Sequence, residues 1–109
     1  MTLDPAPDGQ TDSQTARATT HLTAEHRLEF RRAMLEALEV AVRSGEKCID
    51  VDLGPTVDID ASGLGVLVLL QKRARERGLK TRLVNAPRAI REMLHLTRLD
   101  ALFEFGDAP

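Results

Sequence analysis

The stretch "VDIDASGLGVLVLL" (residues 57–70) is the strongest fold signal in the chain and holds the candidate site. Two aspartates and a short segment of Ala, Ser and Gly stand directly before a run of apolar residues. Serine is a preferred helix N-cap, so Ser62 is the predicted N-cap at the start of a helix that runs to about Arg77. Gly78 ends this predicted helix.

The residues around this helix alternate between strand and helix patterns. Residues 47–53, "KCIDVDL", place apolar side chains at every second position, and residues 79–84, "LKTRLV", form another short strand pattern. Apolar residues at spacings of three and four predict a helix from an N-cap at Thr23 to about residue 43, ended by Gly45. A third helix is predicted from Asn85 to about residue 97, with an inner face made of Ile90, Met93, Leu94 and Thr97.

This order of elements predicts one α/β domain with a parallel βαβ core and about three main helices. A chain of 109 residues has room for a single domain. Residues 1–20 are poor in large apolar side chains, so most of that segment is predicted to be mobile. We therefore expect a domain at 21–106 and a tail at 107–109. "TARATTHLT" (residues 15–23) is the only stretch before the first helix that could form a strand.

The composition of the chain argues against some classes of binding partner and cellular location. The formal net charge is −2 and there is no Trp or Tyr, which is unlike a nucleic-acid-binding surface. The longest apolar run, residues 66–70, is too short to span a bilayer, and no secretory signal precedes the domain. We expect a cytoplasmic protein without direct membrane insertion. The single cysteine, Cys48, allows no internal disulfide and is predicted to be a buried strand thiol.

The candidate motif does not match a known catalytic or cofactor site. The glycines after Ser62 fit neither phosphate-binding loop, and Asp60 stands where a nucleophile elbow needs glycine. Asp58 and Asp60 would point to opposite sides of an extended chain, and no histidine lies beside them. The three histidines are scattered and are predicted to be surface or rim residues (His21, His26 and His95). We expect no enzyme, no metal and no cofactor.

Ser62 has two possible roles. It can cap the helix, or it can accept a phosphoryl group, since the free backbone N–H groups and the dipole of a helix start favour a negative group there. A phosphate would also repel Asp58 and Asp60, and that repulsion could release a bound partner. The residue types alone leave both roles open.

The first half of the helix is apolar in nearly every direction. The helix is therefore either sandwiched between other elements or partly exposed for a protein partner. Its apolar excess lies next to Ser62, which favours a docking surface, and on that hypothesis Leu64→Glu would abolish partner capture without unfolding the protein. The predicted partner-binding residues are Asp58, Asp60, Ala61, Ser62, Gly63, Leu64 and Gly65.

These motifs resemble the STAS domain of bacterial anti-sigma factor antagonists over about residues 22–105. The family pattern has an apolar strand ending in Asp-Leu, then Ile-Asp-Ser-Ser-Gly-Leu-Gly, a helix, a Gly-Leu strand, Asn and a helix ending in Leu-Thr-x-Leu. Matching positions here are Asp52–Leu53, residues 60–65, Gly78, Val84–Asn85, Leu96–Thr97 and Leu102–Phe103. The resemblance implies a small mixed sheet, although the usual N-terminal pair of strands is barely recognisable in "ATTHLT" (residues 18–23).

The resemblance also implies a function. Family members bind a serine-kinase-type anti-sigma factor, which phosphorylates a serine at the helix start, and a phosphatase restores binding. In the family the acceptor directly follows the Asp, where this chain has Ala61, and Ser62 comes one residue later. Two alternatives remain: an unswitched scaffold subunit of a stressosome-like or lipid-transport ATPase assembly, and a small nucleotide-binding domain.

Overall fold

The computed structural model describes residues 13–106; residues 1–12 and 107–109 lie outside the described range, including most of the predicted mobile segment and the predicted tail. Within residues 13–106 strands and helices follow one another, together with two short 3-10 helices. In order they are β1 (Ser13–Arg17), β2 (His21–Leu22), a 3-10 helix (Ala24–His26), α1 (Arg27–Arg43), β3 (Cys48–Asp52), β4 (Asp58–Ile59), α2 (Ala61–Glu76), β5 (Lys80–Val84), α3 (Arg88–Leu96), a 3-10 helix (Asp100–Leu102) and β6 (Glu104–Gly106).

Four strands form the main sheet in the order β1-β3-β5-β6. All strand pairs within residues 13–106 are parallel, which differs from the mixed sheet that the resemblance implies. Because side chains alternate across a strand, each row of paired residues faces one side of the sheet. One row is apolar: its residues Ala16, Val51 and Leu83 belong to the core, and Phe105 is half-buried against it. The neighbouring row is polar: Thr15, Asp50, Arg82 and Glu104.

The first strand lies earlier in the chain than the sequence pattern suggests. β1 occupies residues 13–17, inside the segment predicted to be mostly mobile, and pairs along its whole length with β3. Its sequence, "SQTAR", has too few apolar residues to stand out by itself. The second element of this region, β2, is only two residues long and pairs with β4. The described fold therefore extends before the predicted domain boundary at residue 21.

The helices cover the apolar row of the sheet. α1 contacts β1 and β3, and α2 contacts both α1 and β5. On α3, Ile90 and Leu94 are buried and Met93 is half-buried, as the inner-face prediction requires. The prediction was wrong for Thr97, which follows the last residue of α3 and is exposed. Its hydroxyl donates to the carbonyl oxygens of Met93 and Leu94 instead of packing inward.

The helix ends agree with the glycine pattern but not with the predicted first cap. Gly45 and Gly78 both have a positive φ, the left-handed conformation in which glycine commonly ends a helix. Thr23 precedes the first 3-10 helix, and its side chain makes no capping hydrogen bond. The end of α1 was therefore predictable from local sequence. The 3-10 helix before α1 is instead held by a residue far along the chain, because the Ala24 N–H donates to Oδ2 of Asp60.

The apolar helix α2 is sandwiched rather than broadly exposed. Its large apolar side chains are mostly buried or half-buried between α1 and the sheet, while Ala61 and Gly65 are exposed in its first turns. None of the helices in the described part of the chain is long and apolar enough to cross a membrane. The exposed large hydrophobic residues lie elsewhere: Leu28, Val57, Leu96 and Leu102.

Candidate functional site

Asp60 organises the site by capping two helices. Its Oδ1 accepts hydrogen bonds from the backbone N–H groups of Ser62 (2.9 Å) and Gly63 (3.2 Å). Its Oδ2 accepts one from the N–H of Ala24 (3.0 Å), at the start of the 3-10 helix that leads into α1. One carboxylate thus satisfies orphan donors of two helix starts that are far apart in sequence.

This geometry corrects the prediction that Ser62 is the N-cap. The N-cap of α2 is Asp60, which has an extended backbone, and the helix begins at Ala61. Aspartate caps as well as serine does and also carries the charge that a helix start favours. Ser62 is therefore a residue of the first turn, and its hydroxyl is not needed for capping.

The three backbone N–H groups keep Asp60 ionised. Partial desolvation raises the pKa of this carboxyl, but the hydrogen bonds from Gly63, Ala24 and Ser62 together outweigh that effect and hold the pKa below its ordinary value. A carboxylate that accepts several N–H bonds is stabilised in its charged form and is a poor proton donor. Its role at the site is to hold the two helix starts together.

Two other predicted partner-binding residues, Gly63 and Leu64, are buried and support the fold. A Cβ on Gly63 would collide with the carbonyl oxygen of Leu22 and would lie 2.8 Å from Cγ1 of Ile59. The Leu64 side chain is only 8% exposed and belongs to the hydrophobic core. This corrects the expectation for Leu64→Glu: a charge placed there would be buried without a partner, so we now expect this variant to unfold the domain.

The remaining predicted residues form an exposed surface. Asp58, Ala61 and Gly65 are exposed, and Ser62 is half-buried. A shallow cleft of about 430 Å³ opens beside the first turns of α2. Its lining combines Ala61, Ser62, Gly65, Val66 and Leu69 from α2 with Arg27 and Arg31 from α1.

The two arginines of the cleft were not predicted from the sequence because their signal is not local. Arg27 and Arg31 lie one turn apart on α1, far before Ser62 in the chain. Their spacing shows only that they share a helix face. The packing of α1 on α2 is what brings them to the cleft.

Asp58 is held by a histidine of the neighbouring short strand. His21 Nδ1 lies 2.6 Å from Asp58 Oδ1, and the two residues are also partners in the β2–β4 ladder. The His21 ring stacks on His26, with ring centroids 6.4 Å apart. Exposed Val57 precedes Asp58, so the loop before α2 presents an apolar and an acidic side chain together. Residues 13–106 contain no group of three potential metal-ligating side chains.

Cys48 lies on the sheet, away from this surface. The thiol is half-buried and donates a hydrogen bond to Oδ1 of Asp50 (3.2 Å). Burial, together with the hydrogen bond and the charge of Asp50, raises its pKa to about 12. The thiol is therefore protonated and weakly nucleophilic near neutral pH, as expected for a strand cysteine.

Comparison with protein families identifies the class. The family model described as "Mlab, STAS domain" matches residues 9–104, which is most of the chain. The protein therefore belongs to the STAS-domain family, and the single α/β domain inferred from the sequence is confirmed. No curated protein sequence matches this chain significantly.

Solved structures share the fold. TM1081, an anti-sigma factor antagonist of Thermotoga maritima, is 22% identical, with 89% of this chain and 80% of that chain covered and a TM-score of 0.71. The phosphorylated form of SpoIIAA, a Bacillus cell fate determinant, is 16% identical, with 94% and 87% covered and a TM-score of 0.65. The unphosphorylated anti-sigma factor antagonist SpoIIAA is 15% identical, with 92% and 84% covered and the same TM-score. The TM-scores establish a common fold, and at these identities the likeness extends to the fold alone.

Proposed function

We propose that this STAS protein is an anti-sigma factor antagonist-like partner-switching protein. It binds a serine-kinase-type anti-sigma factor through a docking surface made of Asp58, Ala61, Ser62, Gly65 and the cleft beside them. Binding frees a sigma factor, and the protein itself performs no catalysis. The proposal places it in the cytoplasm, with the kinase and a phosphatase as its partners.

The observation that carries this proposal is the contrast between the two sets of residues in the motif. Asp60, Gly63 and Leu64 are committed to capping and core packing, so they hold the first turn of α2 in one position. Ala61 and Gly65 are exposed and have no comparable structural task. A rigid, exposed turn of small residues lets another protein approach the backbone closely, which is what a docking site requires.

Ser62 supplies the proposed switch. The kinase would transfer the γ-phosphoryl group of ATP to Ser62 Oγ, with release of ADP and the hydroxyl proton, and a phosphatase would hydrolyse the ester to phosphate. The modification adds about 1.5–2 negative charges and three oxygens to a cleft whose lining includes Arg27 and Arg31. A partner that binds to the two arginines would have to compete with the phosphate for them. Asp58 adds further negative charge to the docking surface.

A matched pair of arginine substitutions tests the docking surface. Ala61 and Ala89 are both exposed and both lie in the first turn of a helix, α2 and α3 respectively. We expect Ala61→Arg to abolish binding to purified serine-kinase-type anti-sigma factors in calorimetry, because its side chain would fill the docking surface. Ala89→Arg should bind like the unmodified protein. Equal binding by both variants would show that the surface is misplaced.

Intact mass and peptide mapping test the switch. After incubation with the kinase and ATP, a phosphatase-sensitive adduct of one phosphoryl group on Ser62 is expected, and Ser62→Ala should remain unmodified. Loss of binding that accompanies this adduct supports partner switching. Binding without any adduct, under conditions in which the kinase phosphorylates a control substrate, would contradict the switch and leave constitutive binding.

A further inference from the structure

The outer face of α1 borders a groove that no other element of the described chain lines. The opposite face carries the helix's buried residues, among them Phe30, Met34 and Leu38. On the outer face the Leu28 side chain is 69% exposed, and Leu35 and Val40 are half-buried. A shallow groove of about 820 Å³ follows this face from Leu28 to Arg43, and its lining comes from α1 alone.

Arg43 lines the groove at the end of the helix. The four charged residues before it are ordered by sign: Arg31 and Arg32 come first, and Glu36 and Glu39 follow. Among the ion pairs of residues 13–106, only Glu39 of these four has a partner, Arg77 at 2.9 Å. The outer face is therefore an apolar stripe with two arginines before Leu35, two glutamates after it and Arg43 at its end.

We infer that α1 forms the interface of a homodimer, with two copies of the helix packed antiparallel about a two-fold axis near Leu35. A two-fold axis makes the interface self-complementary. It brings Leu35 against Leu35 of the second copy and sets Arg31 and Arg32 opposite Glu36 and Glu39 of that copy. Leu28 at one end approaches Val40 of the second copy. The contact extends along most of the length of α1.

The order of the charges favours a second copy over other occupants. In an antiparallel pair Arg31 and Arg32 of one helix meet the two glutamates of the other, so the same sequence supplies both sides of each contact. A membrane of anionic lipids or a nucleic acid would attract the arginines but repel Glu36 and Glu39. This dimer goes beyond the proposed partner binding, and Arg31 is the residue that borders both surfaces.

Charge-reversal variants of the full chain test the interface by sedimentation equilibrium at low ionic strength. Arg32→Glu and Glu36→Lys should each raise the dimer dissociation constant at least about tenfold, because each places like charges opposite one another. An equimolar mixture of the two variants should dimerise again, since residues 32 and 36 then carry opposite charges across the interface. Arg73→Glu, an exposed charge reversal on α2, should dimerise like the unmodified protein.

Two outcomes would overturn the inference. One is an unmodified protein that stays monomeric up to about 0.5 mM, where even weak dimers are populated. The other is a dimer whose dissociation constant is the same for Arg32→Glu as for Arg73→Glu, which would place the interface elsewhere. Circular dichroism of each variant confirms that a monomeric result does not come from unfolding. No anti-sigma factor is present in this experiment, so its outcome is independent of the proposed function.

Discussion

At the scale of single residues, the motif "DASGLG" (residues 60–65) contains some residues that support the fold and others that are exposed on the surface. Asp60 accepts hydrogen bonds from the start of α2 and from the start of the 3-10 helix that precedes α1. Gly63 leaves room for the Leu22 carbonyl to come close to α2. A Cβ on Gly65, two residues later in the same helix, would meet nothing within 4 Å. Close packing therefore requires glycine at position 63, whereas packing places no such requirement on position 65.

Alanine substitutions separate these two glycines. Gly63→Ala should lower the free energy of unfolding by about 1–3 kcal/mol, because the colliding atom is backbone and cannot rotate away. Gly65→Ala should leave it unchanged or raise it by up to about 1 kcal/mol, since alanine favours the helix. Urea denaturation measures both. Similar losses in the two variants would contradict the close approach at Gly63.

The hydrogen bonds of Asp60 predict an acid dependence of stability. Its pKa is lower in the folded state than in the unfolded chain, so its contribution is complete above the unfolded pKa, about 4. The contribution is lost as the pH falls through the lower folded value. Asp60→Asn should therefore reduce the melting temperature at pH 7 more than at pH 3. Asp58→Asn, an exposed control, should show a smaller loss at pH 7; an equal loss would contradict the double cap.

At the scale of secondary-structure elements, the polar face of the sheet carries two cross-strand ion pairs of different burial. Arg82 of β5 donates to both carboxylate oxygens of Asp50 on β3, with Nε–Oδ1 at 3.1 Å and Nη2–Oδ2 at 2.7 Å. The Asp50 side chain is 9% exposed. Lys80 and Glu104 form the second pair at 3.5 Å, and both side chains are mostly exposed.

Removing one cation from each pair tests this difference. Arg82→Ala should cost about 2–3 kcal/mol of unfolding free energy, because it leaves the buried Asp50 without its partner; the partial exposure of Arg82 keeps the cost below that of a fully buried pair. Lys80→Ala should cost less than about 0.5 kcal/mol. Equilibrium denaturation at pH 7 compares them. Equal effects would show that burial of Asp50 does not control the energetics.

At the scale of the whole molecule, β1 completes the sheet from a segment that the sequence pattern does not distinguish. Ala16 and Ala18 are buried in the core, and the Ala18 N–H donates to the carbonyl oxygen of Asp52 (2.9 Å). The strand also pairs with every residue of β3 from Cys48 to Asp52. Removal of β1 would leave the edge of β3 open to solvent and uncover part of α1.

A truncated chain tests the contribution of β1 directly. A chain that starts at His21, the predicted domain boundary, should lose cooperative thermal unfolding or melt at least about 10 °C lower, because it lacks the strand and its core residues. Circular dichroism against temperature provides the comparison with the full chain. A truncated chain with an unchanged melting curve would show that β1 adds nothing to the stability of the domain.

The elements that were predicted well are those specified by neighbouring residues. The apolar spacing of α1, the alternation in β3 and the glycines at 45 and 78 each act within a few residues, so they can be read without knowing the fold. The start of α2 was predicted within one residue. Its cap was wrong because Asp60 and Ser62 are both good caps, and the choice between them depends on the backbone conformation of Asp60.

The amino-acid order was enough to predict the STAS fold and most of its elements, and to propose a candidate site at the start of α2. Which residues of that site face outward depends on the three-dimensional packing. The first half of α2 is apolar on nearly all sides, so its exposed side is set by where α1 and the sheet lie. The same packing buries Leu64, brings Arg27 and Arg31 beside Ser62 and makes β1 a strand, because each of these depends on contacts between residues far apart in the chain.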